Sequence, residues 1–187
     1  YKRQHLAQQS VGLEATQGLQ LAIQGHLQVL AVQAMQLQQI KSQLLAVFYP
    51  LPEAPALLSF ALGEVTTALI LAEIGDPTRY SNAQQLIKLA GLQPTPDSSG
   101  KKTNSPTPMS GKGRSRLRTL LYFACLRLIQ QDEAFALRYQ QLQQRATNPL
   151  TGMQALGVLM TKLLRIFWAL LKQKTVYNPA LGSSLDA

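Results

Sequence analysis

The sequence has few of the side chains that build disulfides and zinc sites. One cysteine, Cys125, and two histidines, His5 and His26, occur in 187 residues. A single cysteine excludes an internal disulfide and suits a reducing compartment. Neither histidine has a cysteine or carboxylate cluster near it, so a zinc site in this chain is not expected. Because Cys125 falls among apolar residues such as Leu121 and Ala124, we expect a small buried core residue and not a nucleophile.

Long apolar runs are also missing. The most apolar stretch, residues 154–171, is interrupted by Lys162 and Arg165, which argues against a membrane span, and no signal peptide is visible. We therefore expect a cytoplasmic protein. Charged residues make up 14% of the chain and hydrophobic residues 46%, so the sequence has enough apolar material for one folded domain with an extension.

Positive charge is concentrated in one half of the chain. Up to Asp97 five basic residues face six acidic ones, a net charge of −1, whereas from Ser98 onward thirteen basic residues face three acidic ones, a net charge of +10. Such asymmetry indicates a polyanionic partner, and nucleic acid is the commonest one. The alternative is a solvated basic face that only keeps the protein soluble.

Residues 20–48 contain no proline and repeat apolar groups in steps of four and three. The positions are Ile23, Leu27, Leu30, Ala34, Leu37, Leu44 and Phe48. Lys41 occupies the one position of this repeat that is not apolar. This heptad pattern predicts a long helix that pairs with a partner helix; an amphipathic helix that packs on its own domain fits the spacing equally well. Pro50, Pro52 and Pro55 then end it. We predict a coiled-coil-like arm over residues 1–49.

The remainder predicts a compact helical domain over residues 50–179 and a short tail over 180–187. Helical periods recur on both sides of Gly63, from Ser81 to Ala90, from Leu117 to Leu128, and after Pro149, where the last helix is expected to begin. Gly91 stands where a left-handed residue would terminate a helix. No segment shows a convincing alternation of apolar and polar residues, so the predicted fold class is all-α.

Residues 93–113 form a long basic loop rich in proline, serine, glycine and lysine. It contains the run Asp97-Ser98-Ser99-Gly100-Lys101-Lys102 and leads into the basic segment 111–118. A serine beside glycine can approach a phosphate closely, and nearby cations could stabilise charge on a pentavalent phosphorus. Most serines in such loops, however, are simply turn residues.

An ordered run of motifs resembles the C-terminal domain of the insertion-sequence one-ten family of transposases. The matching residues are Leu71-Ala72-Glu73-Ile74-Gly75-Asp76, Arg79-Tyr80, Gln85-Leu86, Ala90-Gly91-Leu92, Pro94, Ser98-Ser99-Gly100, Gly113-Arg114, Leu117-Arg118, Leu121-Tyr122, Lys162-Leu163-Leu164-Arg165 and Tyr177-Asn178-Pro179. Together they cover about two thirds of the chain.

The resemblance implies a site-specific DNA recombinase guided by a bridge RNA. It implies that Ser99, directly before Gly100, attacks a DNA phosphodiester and becomes linked to the strand, with Ser98 as the weaker candidate. The basic residues after it would hold DNA backbone: Lys101, Lys102, Lys112, Arg114, Arg116 and Arg118. The expected partners are thus DNA, a guide RNA and further copies of the chain, joined through the heptad helix.

The chain departs from the family pattern in two places. The family's N-terminal RNase H-like domain, with its acidic metal-binding tetrad, is not visible in this sequence. We therefore expect Mg²⁺ to belong to that domain, this chain to hold no cofactor, and the chain alone to be inactive. The family's helix-hairpin-helix-like start falls at residues 60–63, where a proline is lost and one residue is missing. The alternative function is a non-catalytic nucleic-acid-binding or assembly module, a degraded transposase remnant.

Overall fold

A computed structural model describes residues 16–60, 62–95 and 109–177. Ser98, Ser99, Lys101 and Lys102 lie outside the described residues. The chain divides into two compact units, Tyr1–Gln43 and Leu44–Ala187. The described residues form seven α-helices, and their only β-type pairing is an isolated antiparallel bridge between Pro94 and Met109. The all-α prediction is confirmed.

The long N-terminal helix is confirmed as α1, Gln17–Phe48. Within the first unit the heptad positions are solvent-exposed: Ile23 retains 50%, Leu27 60%, Leu30 59% and Leu37 55% of its accessible surface. Pairing of this seam with a partner helix stays a prediction. Phe48, at the other end of α1, is 3% exposed and belongs to the core of the second unit.

Six further helices build the second unit. They are α2 (Ala54–Leu58), α3 (Glu64–Ile74), α4 (Ala83–Leu89), α5 (Ser115–Gln131), α6 (Glu133–Gln144) and α7 (Gly152–Gln173), with a 3₁₀ turn at Pro77–Arg79 between α3 and α4. Helix α7 packs against α2, α4, α5 and α6, and α5 also packs against α3 and α6. The core therefore surrounds α7, whose apolar residues recur in steps of three and four.

Helix α7 has the composition of a core helix. Among the described residues it is the one helix long and apolar enough to cross a membrane, but 61% of its most apolar part is buried inside the protein. Six of its apolar positions step by three and four from Met153 to Leu171. Five of the six are buried, including Leu163 and Phe167. The sixth, Met153, is 66% exposed, because it lies in the first turn of the helix and faces solvent.

The helix-hairpin-helix-like start consists of α2 and α3, joined by a turn that ends at Gly63. The C-terminal end of the described chain closes over this turn. The Tyr177 N–H donates to Ser59 Oγ at 2.7 Å, and the Tyr177 ring meets Phe60 edge-on with 4.6 Å between ring centroids. The motif at Tyr177 thus anchors the chain end to the hairpin.

Two predicted helix starts are displaced. The cap of α4 is Asn82, whose Oδ1 accepts from the Gln85 N–H at 3.2 Å; asparagine caps as well as the serine before it. Helix α7 starts at Gly152 and not at Pro149, because Thr151 and Gln154 form a reciprocal capping box. Both starts are set by side chains that satisfy free N–H groups.

Candidate nucleic-acid interface

The site is positioned by the C-terminal end of α4. The Gly91 N–H donates to the Lys88 carbonyl and the Leu92 N–H to the Ile87 carbonyl, both at 3.0 Å. Gly91 has φ +70°, as this terminating motif requires. The predicted left-handed end at Gly91 is confirmed, and it turns the chain abruptly into the loop.

The two ends of the long loop are held together. The Ser110 N–H donates to the Gln93 carbonyl at 2.9 Å, and the Gly111 N–H donates to the Gly91 carbonyl at 3.1 Å. Beyond them Pro94 and Met109 form the antiparallel bridge. We call residues 89–95 and 109–114 the loop stem. The described residues that flank the segment with Ser98 and Ser99 in the sequence therefore lie side by side.

The loop stem is closed by a backbone contact at Gly113. A Cβ atom there would lie 2.5 Å from the Leu89 carbonyl oxygen and would also collide with the Gly91 nitrogen. Next to it the Arg114 N–H donates to the Leu89 carbonyl at 2.7 Å. Only glycine allows the two backbones to approach this closely.

Arg118, a predicted DNA contact, forms hydrogen bonds to both legs of the loop stem. Its Nη1 donates to the Ala90 carbonyl at 3.0 Å and to the Gly111 carbonyl at 3.3 Å, and the residue is half-buried. One guanidinium thus bridges both legs of the stem. A phosphate contact by its remaining N–H groups stays a prediction.

Arg114 and Arg116 share Glu73 of α3. Arg114 Nη1 donates to the Glu73 carbonyl at 2.5 Å and lies 3.9 Å from its Oε2 atom, while Arg116 Nε lies 3.6 Å from Oε1. The two arginine side chains remain 52% and 84% exposed. Exposed pairs of this kind are weak, so both guanidiniums stay available to a phosphate, as does the exposed Lys112.

Comparison with known proteins identifies the domain that contains this site. Residues 59–140, which include the whole loop stem, match the transposase domain described as Transposase IS116/IS110/IS902 family. Over this segment the chain is similar to that family. The resemblance drawn from the motif run is confirmed.

Two relatives come from insertion elements of Streptomyces. An uncharacterized 43.6 kDa protein of insertion element IS110 from Streptomyces coelicolor is 26% identical over 182 residues, which cover 97% of this chain and 44% of the relative. An uncharacterized 44.8 kDa protein of insertion element IS116 from Streptomyces clavuligerus is 31% identical over 119 residues, which cover 64% of this chain and 29% of the relative. The chain therefore spans less than half the length of either relative.

Beside the loop stem the second unit has a basic pocket that sequence reasoning missed. Arg138 of α6 and Lys162 and Arg165 of α7 line it together with Pro94 and Met109 of the stem. Lys162 and Arg165 are three residues apart and share one helix face. That spacing was visible in the sequence, but Arg138 joins them only through the packing of α6 on α7.

Cys125 and Asp76 have shifted pKa values, and both have structural roles. Burial raises the pKa of the Cys125 thiol to about 12, which keeps it protonated and confirms the expected core role. Hydrogen bonds from the Thr78 hydroxyl and N–H lower the pKa of Asp76, which caps the 3₁₀ turn. Neither group faces the loop stem.

The described part of the chain contains no group of three or more His, Cys, Asp or Glu residues that could hold a metal ion. Glu73, whose carboxylate lies beside the second leg of the loop stem, is engaged by Arg114 and Arg116.

Proposed function

We propose that the chain is the catalytic-serine and DNA-binding domain of a transposase. The observation that supports this proposal is the loop stem, which lies inside the matched transposase domain. Its second leg carries the exposed cations Lys112 and Arg114, the exposed Arg116 follows two residues later, and Ser99 lies between the two legs in the sequence. Loops held at both ends by a rigid scaffold are common sites of catalytic residues. Lys101 and Lys102 complete the proposed DNA contacts.

The proposed reaction is attack of the Ser99 hydroxyl on a DNA phosphodiester. A bond forms between Ser99 Oγ and phosphorus while one phosphorus–oxygen bond to deoxyribose breaks. The serine proton leaves through a base, and the departing deoxyribose oxygen takes up a proton. The phosphoserine ester conserves the bond for rejoining when a DNA hydroxyl attacks it in reverse. Lysine and arginine side chains stabilise the charge that develops on phosphorus oxygens.

The Ser99 hydroxyl needs a base, because serine is a weak nucleophile until its proton is removed. We assign that base to carboxylates of the RNase H-like domain that the family resemblance implies, with Asp97 as the alternative within this chain. Mg²⁺ would belong to the same implied domain. On this assignment the present chain alone is inactive, and sequence choice lies with a guide RNA.

Paired serine variants test the nucleophile. In a complete transposase that contains this domain, Ser99→Ala should abolish the covalent protein–DNA adduct, while Ser98→Ala should retain it. The adduct is measured by denaturing electrophoresis of labelled DNA carrying the element ends. An adduct that persists in Ser99→Ala removes Ser99 from the mechanism. If neither variant changes any nucleic-acid function, the non-catalytic module becomes the better description.

We also propose that α1 pairs with α1 of a second copy. The support is the row of exposed Ile and Leu side chains at heptad positions, since large apolar side chains in regular rows are normally covered. Such pairing would bring two serine loops to one DNA complex, as exchange between two DNA molecules requires.

A further inference from the structure

The basic pocket is a concave site beside the loop stem. Its volume is about 310 Å³, at the small end of the range of about 300–1,000 Å³ that is usual for ligand pockets. One wall carries Arg138, Lys162 and Arg165, and the floor includes Ile87 and Leu92. Both floor residues are 2% exposed, so the floor is part of the core and is preformed.

The described residues that line the basic pocket carry charge of one sign. Three of its lining residues are basic, and none of those that the structure describes is acidic. Two of the cations come from α7 and one from α6, so two packed helices fix their spacing. Long basic side chains can lay their aliphatic stems along an apolar wall and present their charge at its rim. A cleft built in this way concentrates an anion.

The loop stem contributes to the lining of the basic pocket as well. Pro94 and Met109, one from each leg, line the same pocket, and the Met109 methyl group packs against the bare backbone of Gly157 on α7. A ligand in the basic pocket would therefore touch both legs of the stem as well as α6 and α7.

We propose that the basic pocket binds one nucleotide of the DNA strand that passes the loop stem. This inference rests on the proposed function. The phosphate would lie against Arg138, Lys162 and Arg165, where guanidiniums can make paired N–H bonds to its oxygens, and the deoxyribose would lie on the apolar floor. The pocket is large enough for one sugar-phosphate unit and combines the two surfaces that such a unit presents.

The variant Arg165→Gln tests the proposal, because this side chain is exposed and its loss should not affect folding. In the full chain, binding of a fluorescein-labelled DNA oligonucleotide is followed by fluorescence anisotropy across a salt series. We expect about tenfold weaker binding at fixed salt and a slope of log affinity against log salt that is shallower by about 0.9. Lys172→Gln, an equal charge change on α7 outside the pocket, should leave both quantities unchanged.

A second pair of variants adds a negative charge inside or outside the pocket. Val158 lines the pocket and is 38% exposed, whereas Met153 lies on the same helix outside the lining and is 66% exposed. Val158→Asp should weaken DNA binding more than tenfold, and Met153→Asp should weaken it less than twofold. Thermal unfolding of both variants checks that the fold is retained.

The outcomes separate this proposal from the function on which it rests. Suppose that DNA binding weakens in Lys112 or Arg116 variants but not in Arg165→Gln or Val158→Asp. This result would contradict nucleotide binding in the basic pocket and would leave the transposase proposal intact. Absence of DNA binding by the wild-type chain at low salt would also contradict the proposal that the basic pocket binds a nucleotide. If the pocket variants weaken binding only of an RNA oligonucleotide with the same sequence, the assignment to DNA is wrong. A covalent adduct that persists in Ser99→Ala would overturn the proposed chemistry, whatever the pocket binds.

Discussion

At the scale of single residues, burial decides which reactive groups are available. Cys125 is 0% exposed in the core beside Leu121, and its thiol has a pKa of about 12 instead of 9.0. Its neighbours already predicted this role, because a cysteine on an apolar helix face packs as a small hydrophobe. By contrast, no residue beside Arg118 indicated that its guanidinium would hold two carbonyl groups.

The pKa of Cys125 predicts a loss of stability in alkali. Above pH 9 the thiol ionises in the unfolded chain but stays protonated in the native protein. The unfolded state is therefore favoured as pH rises, and the free energy of unfolding should fall by about 1.4 kcal/mol per pH unit up to about pH 12. Urea unfolding at a series of pH values measures this free energy. Cys125→Ala should lower stability below pH 9 and lack this part of the slope, so that the difference from the wild type narrows in alkali; identical slopes would contradict the prediction.

At the scale of elements, the close contact within the loop stem requires that residue 113 has no side chain. Gly113→Ala would push the Leu89–Gly91 backbone away from the second leg, so the free energy of unfolding should fall by about 3 kcal/mol. Gly111→Ala on the same leg is the control. It has no atom within 4 Å of a new Cβ but has φ +60°, and should cost about 1 kcal/mol. Equal losses in urea unfolding would show that the contact at Gly113 is unimportant.

Sequence reasoning recovered the helices better than the site. Prolines after Phe48 and the left-handed residue at Gly91 are local signals, so the ends of α1 and α4 could be predicted. The loop stem joins residues about twenty positions apart, and the basic pocket joins α6 to α7. Such pairings depend on tertiary packing and leave no periodic signal. Lys162 and Arg165 stood out in the sequence as part of a family motif and as charges that interrupt an apolar stretch, but nothing there paired them with Arg138.

At the scale of the whole molecule, the exposed seam of α1 predicts self-association. Leu30 is 59% exposed, and in a dimer its replacement by glutamate would bury a charge on each chain. Leu30→Glu should raise the dimer dissociation constant at least about a hundredfold, since covering each leucine contributes about 1.5–3 kcal/mol. Sedimentation velocity over a concentration series measures this.

The control for α1 pairing is Gln39→Glu, which places the same charge on the opposite side of the heptad. This variant should associate like the wild type. Monomers at all concentrations in the wild-type chain would contradict the pairing. So would equal effects of the two variants, because a seam contact must depend on which face of α1 carries the charge.

The contact between Met109 and Gly157 also has a consequence for oxidative damage. Met109 is 39% exposed, whereas the Cys125 thiol is buried and protonated, so oxidants reach the thioether first. A sulfoxide oxygen would make this flexible apolar side chain polar where it packs on α7. We therefore expect peroxide to loosen the second leg of the loop stem while the helical core stays intact.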